Sequence, residues 1–188
     1  MQSVTGCVWL LRNWRISFSN GRARLGTWQA ECKRTLQKLT LDDATLADRL
    51  NGVLETDDNR AQLHLAIFVE PYLTFILEGK KTVESRFSSV RCAPYDKVSA
   101  GDVILLKKAG GPVSGICRVD SAWFYEVDRP SLREIRREFA AQICPADSDF
   151  WSAREEKSFA TLISLADVKR LPEFAVNKRD RRGWVMID

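Results

Sequence analysis

The sequence predicts an α+β fold: a small, curved β-barrel with flanking helices, preceded by a mainly helical extension. Three observations carry that expectation. Beyond residue 60, short strand-like apolar runs alternate with short helical ones, which suits a small barrel better than a doubly wound sheet. Before residue 60 the pattern is helical or irregular. The length of 188 residues allows one domain with an extension.

Residues 1–24 hold Arg12, Arg15, Arg22 and Arg24 with no acid and no sustained period of either kind. They read as a basic arm, disordered or loosely docked, or as sequence ahead of a mis-assigned start. Trp28 to Leu39 suits a helix. A second helix is expected after Thr40 as N-cap, with Asp42 and Asp43 in its first turn. Its apolar positions Leu46, Leu50, Val53 and Leu54 fall at helical spacing. Thr56-Asp57-Asp58-Asn59 reads as a linker.

His64 to Val69 is an apolar strand, with His64 at its end beside a local partner. Pro71 suits the first turn of a helix whose inner face is Leu73, Ile76 and Leu77, and Gly79 stands where a C-cap glycine belongs. A strand from Thr82 to Phe87 follows. Gly101-Asp102 turns into the strand Val103–Lys107, and Gly110-Gly111-Pro112 turns into one long or bent strand from Val113 to Tyr125. Ser131 and Glu134 fit a capping box. The helix after it points Leu132, Ile135, Phe139 and Ile143 inward and Arg133, Arg136 and Arg137 outward. Phe159–Leu165 and Gly183–Ile187 supply the last strands.

Composition narrows the class. Hydrophobic residues make up 45% of the chain, too many for one disordered throughout. No apolar run approaches the roughly 20 residues of a membrane helix, so no membrane partner is expected. Val8-Trp9-Leu10-Leu11 is too short for a signal peptide. The five cysteines, Cys7, Cys32, Cys92, Cys117 and Cys144, form no close pair, and His64 is the only histidine. Structural zinc and a disulfide scaffold are both poor fits, and reduced thiols in a cytoplasmic protein are the simplest reading. No metal or other cofactor is expected.

The net charge is +4, but its distribution says more. Residues 1–24 carry +4 and residues 169–182 carry another +4, which leaves −4 for the remainder. Two basic segments of this kind can form an anion-binding face although the mean charge is low.

The most informative stretch is Leu77-Glu78-Gly79-Lys80-Lys81-Thr82-Val83-Glu84-Ser85-Arg86-Phe87. A helix ends at Gly79 and a strand begins directly after two lysines. Strand alternation puts Val83, Ser85 and Phe87 on the core face and Thr82, Glu84 and Arg86 on the other. Beside Lys81, that second face offers a hydroxyl, a carboxylate and a guanidinium to one small polar or anionic ligand. At these residues the chain resembles the ASCH domain, a branch of the PUA-like superfamily. Its G-x-K-x-x-E-x-R signature is matched by Gly79, Lys81, Glu84 and Arg86. The segment Lys178-Arg179-Asp180-Arg181-Arg182-Gly183-Trp184-Val185 looks like the family's basic turn and closing strand.

The resemblance implies a PUA-like barrel over residues 61–188, with residues 1–60 as an extension outside it. It further implies a cleft between barrel and helices that binds RNA or a modified nucleoside or nucleotide. Some small members deacylate N4-acetylcytidine with the motif lysine, a threonine three residues later and a distant glutamate; others degrade RNA. Here Glu84 stands three residues beyond Lys81, where it would pair with the lysine rather than attack a substrate, and Thr82 is displaced by two residues.

Three functional readings follow. In the first, Lys81, Arg179, Arg181 and Arg182 contact phosphate, Glu84 and Arg86 order the site, and Tyr125 stacks on a base. Tyr125 enters because Trp123, Phe124 and Tyr125 are consecutive on a strand and cannot all face the core. In the second, the same cleft hydrolyses RNA or an N-acylated nucleoside, with Lys81 or Glu84 as acid or base. In the third, residues 1–60 dock a protein partner and the barrel carries them.

Overall fold

The computed structural model describes residues 27–50, 53–54 and 61–187. The basic arm, Cys7 and the linker at 56–59 lie outside the described residues. Helix α1 (Thr27–Asp42) is followed by α2 (Ala44–Leu50). The expected N-cap at Thr40 is displaced, because α1 runs through that residue and the Thr40 hydroxyl donates back to the Gln37 carbonyl at 2.7 Å. A hydroxyl can satisfy itself on the preceding helical turn, whereas a carboxylate can only accept. Asp43 therefore caps α2, accepting from the Leu46 N–H at 3.0 Å.

Six strands form one mixed sheet: β1 (Leu63–Phe68), β2 (Val83–Ser88), β3 (Val103–Lys108), β4 (Val113–Glu126), β5 (Phe159–Phe174) and β6 (Trp184–Met186). Their order is β2-β5-β4-β3-β1-β6. β1 and β3 are parallel, and the other neighbours are antiparallel. The long strands β4 and β5 pair through several register shifts. Bulges of this kind increase twist and bend the sheet, here into a half-barrel. β5 continues well past the expected end at Leu165. The polar residues that follow hid the continuation, which passes through Asp167 at φ 53°. The architecture is thus the curved α+β barrel read from the sequence.

Alternation along the central strands explains their uninterrupted apolar runs, since both faces are covered. Leu63 and Leu65 of β1 and Val103 and Leu105 of β3 face α1 and α2, where Cys32, Leu36, Leu46 and Leu50 complete one core. Burial pushes the Cys32 thiol up to about 12. Arg49 donates to the Asp167 carbonyl and Lys169 pairs with Asp43, which fastens α2 to β5. The opposite residues Ala66, Phe68, Ile104 and Leu106 face the barrel interior. Helix α3 (Tyr72–Leu77) buries Leu73 and Ile76 there and sits close on β4. A Cβ at Gly115 would lie only 2.6 Å from Leu77 Cδ2.

Helix α4 (Arg129–Ile143) covers β2, β4 and β5 with Ile135 and Ile143, over Val83, Ala160 and Leu162. Its capping box lies one turn ahead of the expected Ser131–Glu134 pair. Asp128 is the N-cap and accepts from the Ser131 N–H at 2.8 Å, while Ser131 Oγ accepts from the Asp128 N–H at 2.8 Å. Pro130 explains the shift: it fits the first helical turn, where its missing N–H costs nothing. No helix of the described residues is long and apolar enough to cross a membrane.

Candidate functional site

The half-barrel curls until its two edges, β2 on one side and β1–β6 on the other, face each other. Arg86 of β2 spans the seam. Its guanidinium donates to the Ile67 carbonyl of β1 at 2.9 Å and reaches the Gly183 carbonyl just before β6 at 3.5 Å. It also lies over the rings of Phe68 and Trp184, 5.0 and 5.5 Å from their centroids. A cavity of about 460 Å³ opens at this seam.

The signature residues stand on its floor because of how α3 ends. Gly79 takes φ +73°, a left-handed conformation that favours glycine, and the Lys80 and Lys81 N–H groups fold back onto the Phe75 carbonyl at 2.8 and 3.0 Å. That turn points Lys81 into the protein, where it is 2% exposed. Its Nζ donates to the carbonyls of Val83 at 2.8 Å and Ile143 at 2.9 Å, and lies 3.4 Å from Glu84 Oε2. An ammonium has three hydrogens, and three acceptors surround this one. Ile143 ends α4, so Lys81 also caps a helix C-terminus, alongside the Thr82 N–H on the Gln142 carbonyl at 3.0 Å. Burial pulls the Lys81 ammonium below the ordinary lysine value, with Glu84 opposing.

Glu84 is 5% exposed and lies between two cations. Arg86 Nε is 2.6 Å from Glu84 Oε1, off the line of its N–H, so this contact is an ion pair rather than an aligned hydrogen bond. Each carboxylate oxygen keeps acceptor capacity beyond its cation. Cys117, on the interior face of β4, feels the same charge, which adds to burial in pushing its thiol up.

The cavity wall is aromatic and basic. Tyr72, Phe87 and Phe150 line it together with Arg154 and Lys157. Arg154 stacks on Phe150 at 3.3 Å from the ring centroid, lies 5.4 Å from that of Phe87, and donates to the Phe150 carbonyl. Partial burial lowers its guanidinium from the ordinary value, though an arginine remains charged. Neither Arg154 nor Lys157 forms an ion pair among the described residues.

Behind the seam lies a buried chain of polar groups. His64 lies near the start of β1, but its partners are not local: it is fully buried and bonded to residues far away in sequence. Its Nε2 is 2.9 Å from Asp102 Oδ2, and its Nδ1 accepts from Trp184 Nε1 at 3.1 Å. An indole N–H can only donate, so Nδ1 carries no proton and Nε2 carries one. Asp102 also accepts from the N–H groups of Gln62 and Ser99, both at 2.7 Å. The chain fixes Trp184, and Trp184 backs the Arg86 guanidinium.

The structure therefore brings Lys81, Glu84 and Arg86 together at one cavity. Lys81 is enclosed rather than offered as a free cation, and Thr82 is exposed away from the lining. Ser85 and Phe87, expected on the core face, also reach the cavity. Tyr125 does not stand in the cleft: it packs under α4, where burial and the carboxylates of Glu138 and Glu134 raise its phenol. Arg179, Arg181 and Arg182 are exposed on the loop before β6 and do not line the cavity. Arg182 instead pairs with Asp180, and Lys178 donates to Asp180 Oδ1 at 2.6 Å and to the Arg182 carbonyl at 2.7 Å. Sequence reasoning missed Tyr72, Phe150, Arg154 and Lys157, since only the fold brings these segments to β2. Among the described residues, no three His, Cys, Asp or Glu side chains come together to hold a metal ion.

This half-barrel, with its seam cavity and covering helices, is an ASCH-like fold. It matches the crystal structure of ASCH from Zymomonas mobilis with a TM-score of 0.52 at 13% identity, over 66% of this chain and 86% of that one. A mutant form of the same protein gives a TM-score of 0.53 at 12% identity, over 66% and 87% of the two chains. No protein-family model and no curated protein matches the sequence.

Proposed function

We propose that the protein is an RNA- or nucleotide-binding module whose ligand enters the seam cavity. One observation supports this reading above the rest: an aromatic wall and a buried carboxylate share a cavity with two cations that form no ion pair among the described residues. Tyr72 and Phe87, both part-exposed, offer apolar ring surface to a base, with buried Phe150 behind them. Glu84 offers acceptor capacity to amino or imino groups on a base edge. Arg154 and Lys157 offer charge to phosphate, and a guanidinium stacked on a ring keeps its remaining N–H donors free. Arg86 holds the seam and adds a third positive group beside the ligand.

The geometry favours binding over hydrolysis. Lys81 has its hydrogens committed to Val83, Ile143 and Glu84, so it works as a strut rather than as a base. Titration with nucleoside 5′-monophosphates and single-stranded RNA tests the proposal. Affinity should fall as salt rises, because released counterions supply part of it. Arg154→Ala should weaken both ligands about tenfold, the loss of one charge-assisted contact. Salt-insensitive binding, full affinity in Arg154→Ala, or catalytic turnover of RNA or acylated cytidine abolished by Glu84→Gln would each overturn it.

A further inference from the structure

A second concavity, of about 380 Å³, lies on the outer side of α4 and is lined by Arg129, Leu132, Arg133, Arg136, Trp151 and Glu155. The three arginines stand at i, i+4 and i+7, so they form one stripe along the helix, with steps of about 6 and 4.5 Å along its axis. All three are exposed, and none is held by an ion pair or side-chain hydrogen bond among the described residues. Arg137 on the same helix is different: it lies 2.9 Å from Glu138 and 4.0 Å from Glu134. Glu155 reduces the groove to a charge of +2 and leaves the arginine row as its basic side.

The groove and the seam cavity share one wall. In the segment 150–157, Phe150, Ala153, Arg154 and Lys157 line the cavity, whereas Trp151 and Glu155 line the groove. A 3-10 turn at Ser152–Arg154 produces this split by turning successive residues to opposite sides. Phe150 and Trp151 meet edge to face with centroids 5.0 Å apart, so the two concavities stand back to back across a pair of rings.

We infer that the α4 groove is a second contact site for single-stranded RNA. It takes the phosphates that flank the nucleotide seated in the cavity, with Trp151 beside the flanking base. The ligand is accordingly a strand rather than a free nucleotide. This inference rests on the reading of the seam cavity given above. Arginines that form no ion pair among the described residues suit phosphate, their guanidinium fork matches its oxygens, and an adjoining indole suits a base more than it suits a bare anion. A second basic surface that shares a wall with the first gives a polyanion more phosphate contacts than a monomer can use.

The test compares the full-length chain with its Arg133→Gln/Arg136→Gln variant, using a fluorescent 12-nucleotide single-stranded RNA, a nucleoside 5′-monophosphate and an acidic 12-residue peptide. The expected result is weaker RNA binding by the variant with unchanged monophosphate affinity. The loss of RNA affinity between 50 and 200 mM salt should also be about sevenfold smaller in the variant, as expected for two fewer phosphate contacts on a single strand. Equal RNA affinity and equal salt dependence in the two proteins would overturn the inference and leave the cavity reading intact. Binding of neither RNA nor monophosphate by the unmodified chain would overturn both. Peptide binding that the variant loses, with RNA binding unchanged, would assign the groove to an acidic protein partner instead.

Discussion

Lys81→Met is the most direct probe of how the cavity floor is held. Methionine nearly matches the length and volume of the lysine stem, so packing is largely preserved and the change is electrostatic. Three acceptors lose their donor: the Val83 and Ile143 carbonyls and one oxygen of Glu84. Breaking one side of a buried ion pair costs about 3–5 kcal/mol, because the remaining charge stays buried without its partner. Arg86 still faces Glu84, and loss of the ammonium removes its own burial penalty, so the lower end applies here. A cost of about 3 kcal/mol corresponds to a fall of roughly 10 °C in melting temperature for a domain of this size.

The assay is urea unfolding followed by circular dichroism, read with the slope of the transition held fixed. Lys80→Met is the control: Lys80 is 61% exposed, pairs with exposed Glu78, and should leave the midpoint in place. The double variant Lys81→Met/Glu84→Gln should cost less than the two single changes together, since it removes charge from both sides of the pair. A Lys81→Met midpoint within error of the control, or strict additivity with Glu84→Gln, would refute the account of Lys81 as a strut.

Two further predictions concern other parts of the molecule. Leu36→Ala, at a fully buried position of α1, should destabilise the whole unfolding transition by about 2–5 kcal/mol, the range for a deleted leucine core contact; a change confined to a separate, earlier transition would show that α1 does not share the sheet's core. Asp180 is held well below the usual carboxylate range by Arg182 and Lys178. A carboxylate of lowered pKa contributes stability above its unfolded value of about 3.9 and loses that contribution as pH falls through the folded value. Stability should therefore drop with acid below about pH 4, and less so in Asp180→Asn; an identical acid dependence in both proteins would count against the pairing.

What the sequence revealed and what it hid follow from the range of the interactions. Lys81, Glu84 and Arg86 were legible because a helix stop, a two-residue period and a short signature all act within eight positions. The enclosure of Lys81 was not, since its third partner, Ile143, lies 62 residues away. Arg154 and Phe150 belong to an irregular segment without a period to read. His64 illustrates the same limit: its alternating neighbours mark a strand, yet only the sheet order brings Asp102 and Trp184 to its two nitrogens. Tyr125 was misplaced for a different reason. Strand alternation holds for the Trp123-Phe124-Tyr125 run, but both faces are covered, Trp123 by Phe139 of α4 and Phe124 by Tyr95. A rule that assumes one wet face therefore sends to the cleft a residue that packs under a helix.

The single arginine across the seam also bears on how the chain coexists with copies of itself. An open sheet has two edges, and each presents backbone donors and acceptors that a neighbouring chain can extend into a longer sheet. Closed barrels avoid this by having no edges. This half-barrel reaches part of the same protection by turning its edges toward each other and occupying the Ile67 carbonyl with Arg86. Residues that line the seam cavity thus also withhold part of the β1–β6 edge from intermolecular pairing, and a substitution that empties the seam exposes that edge as a template for aggregation.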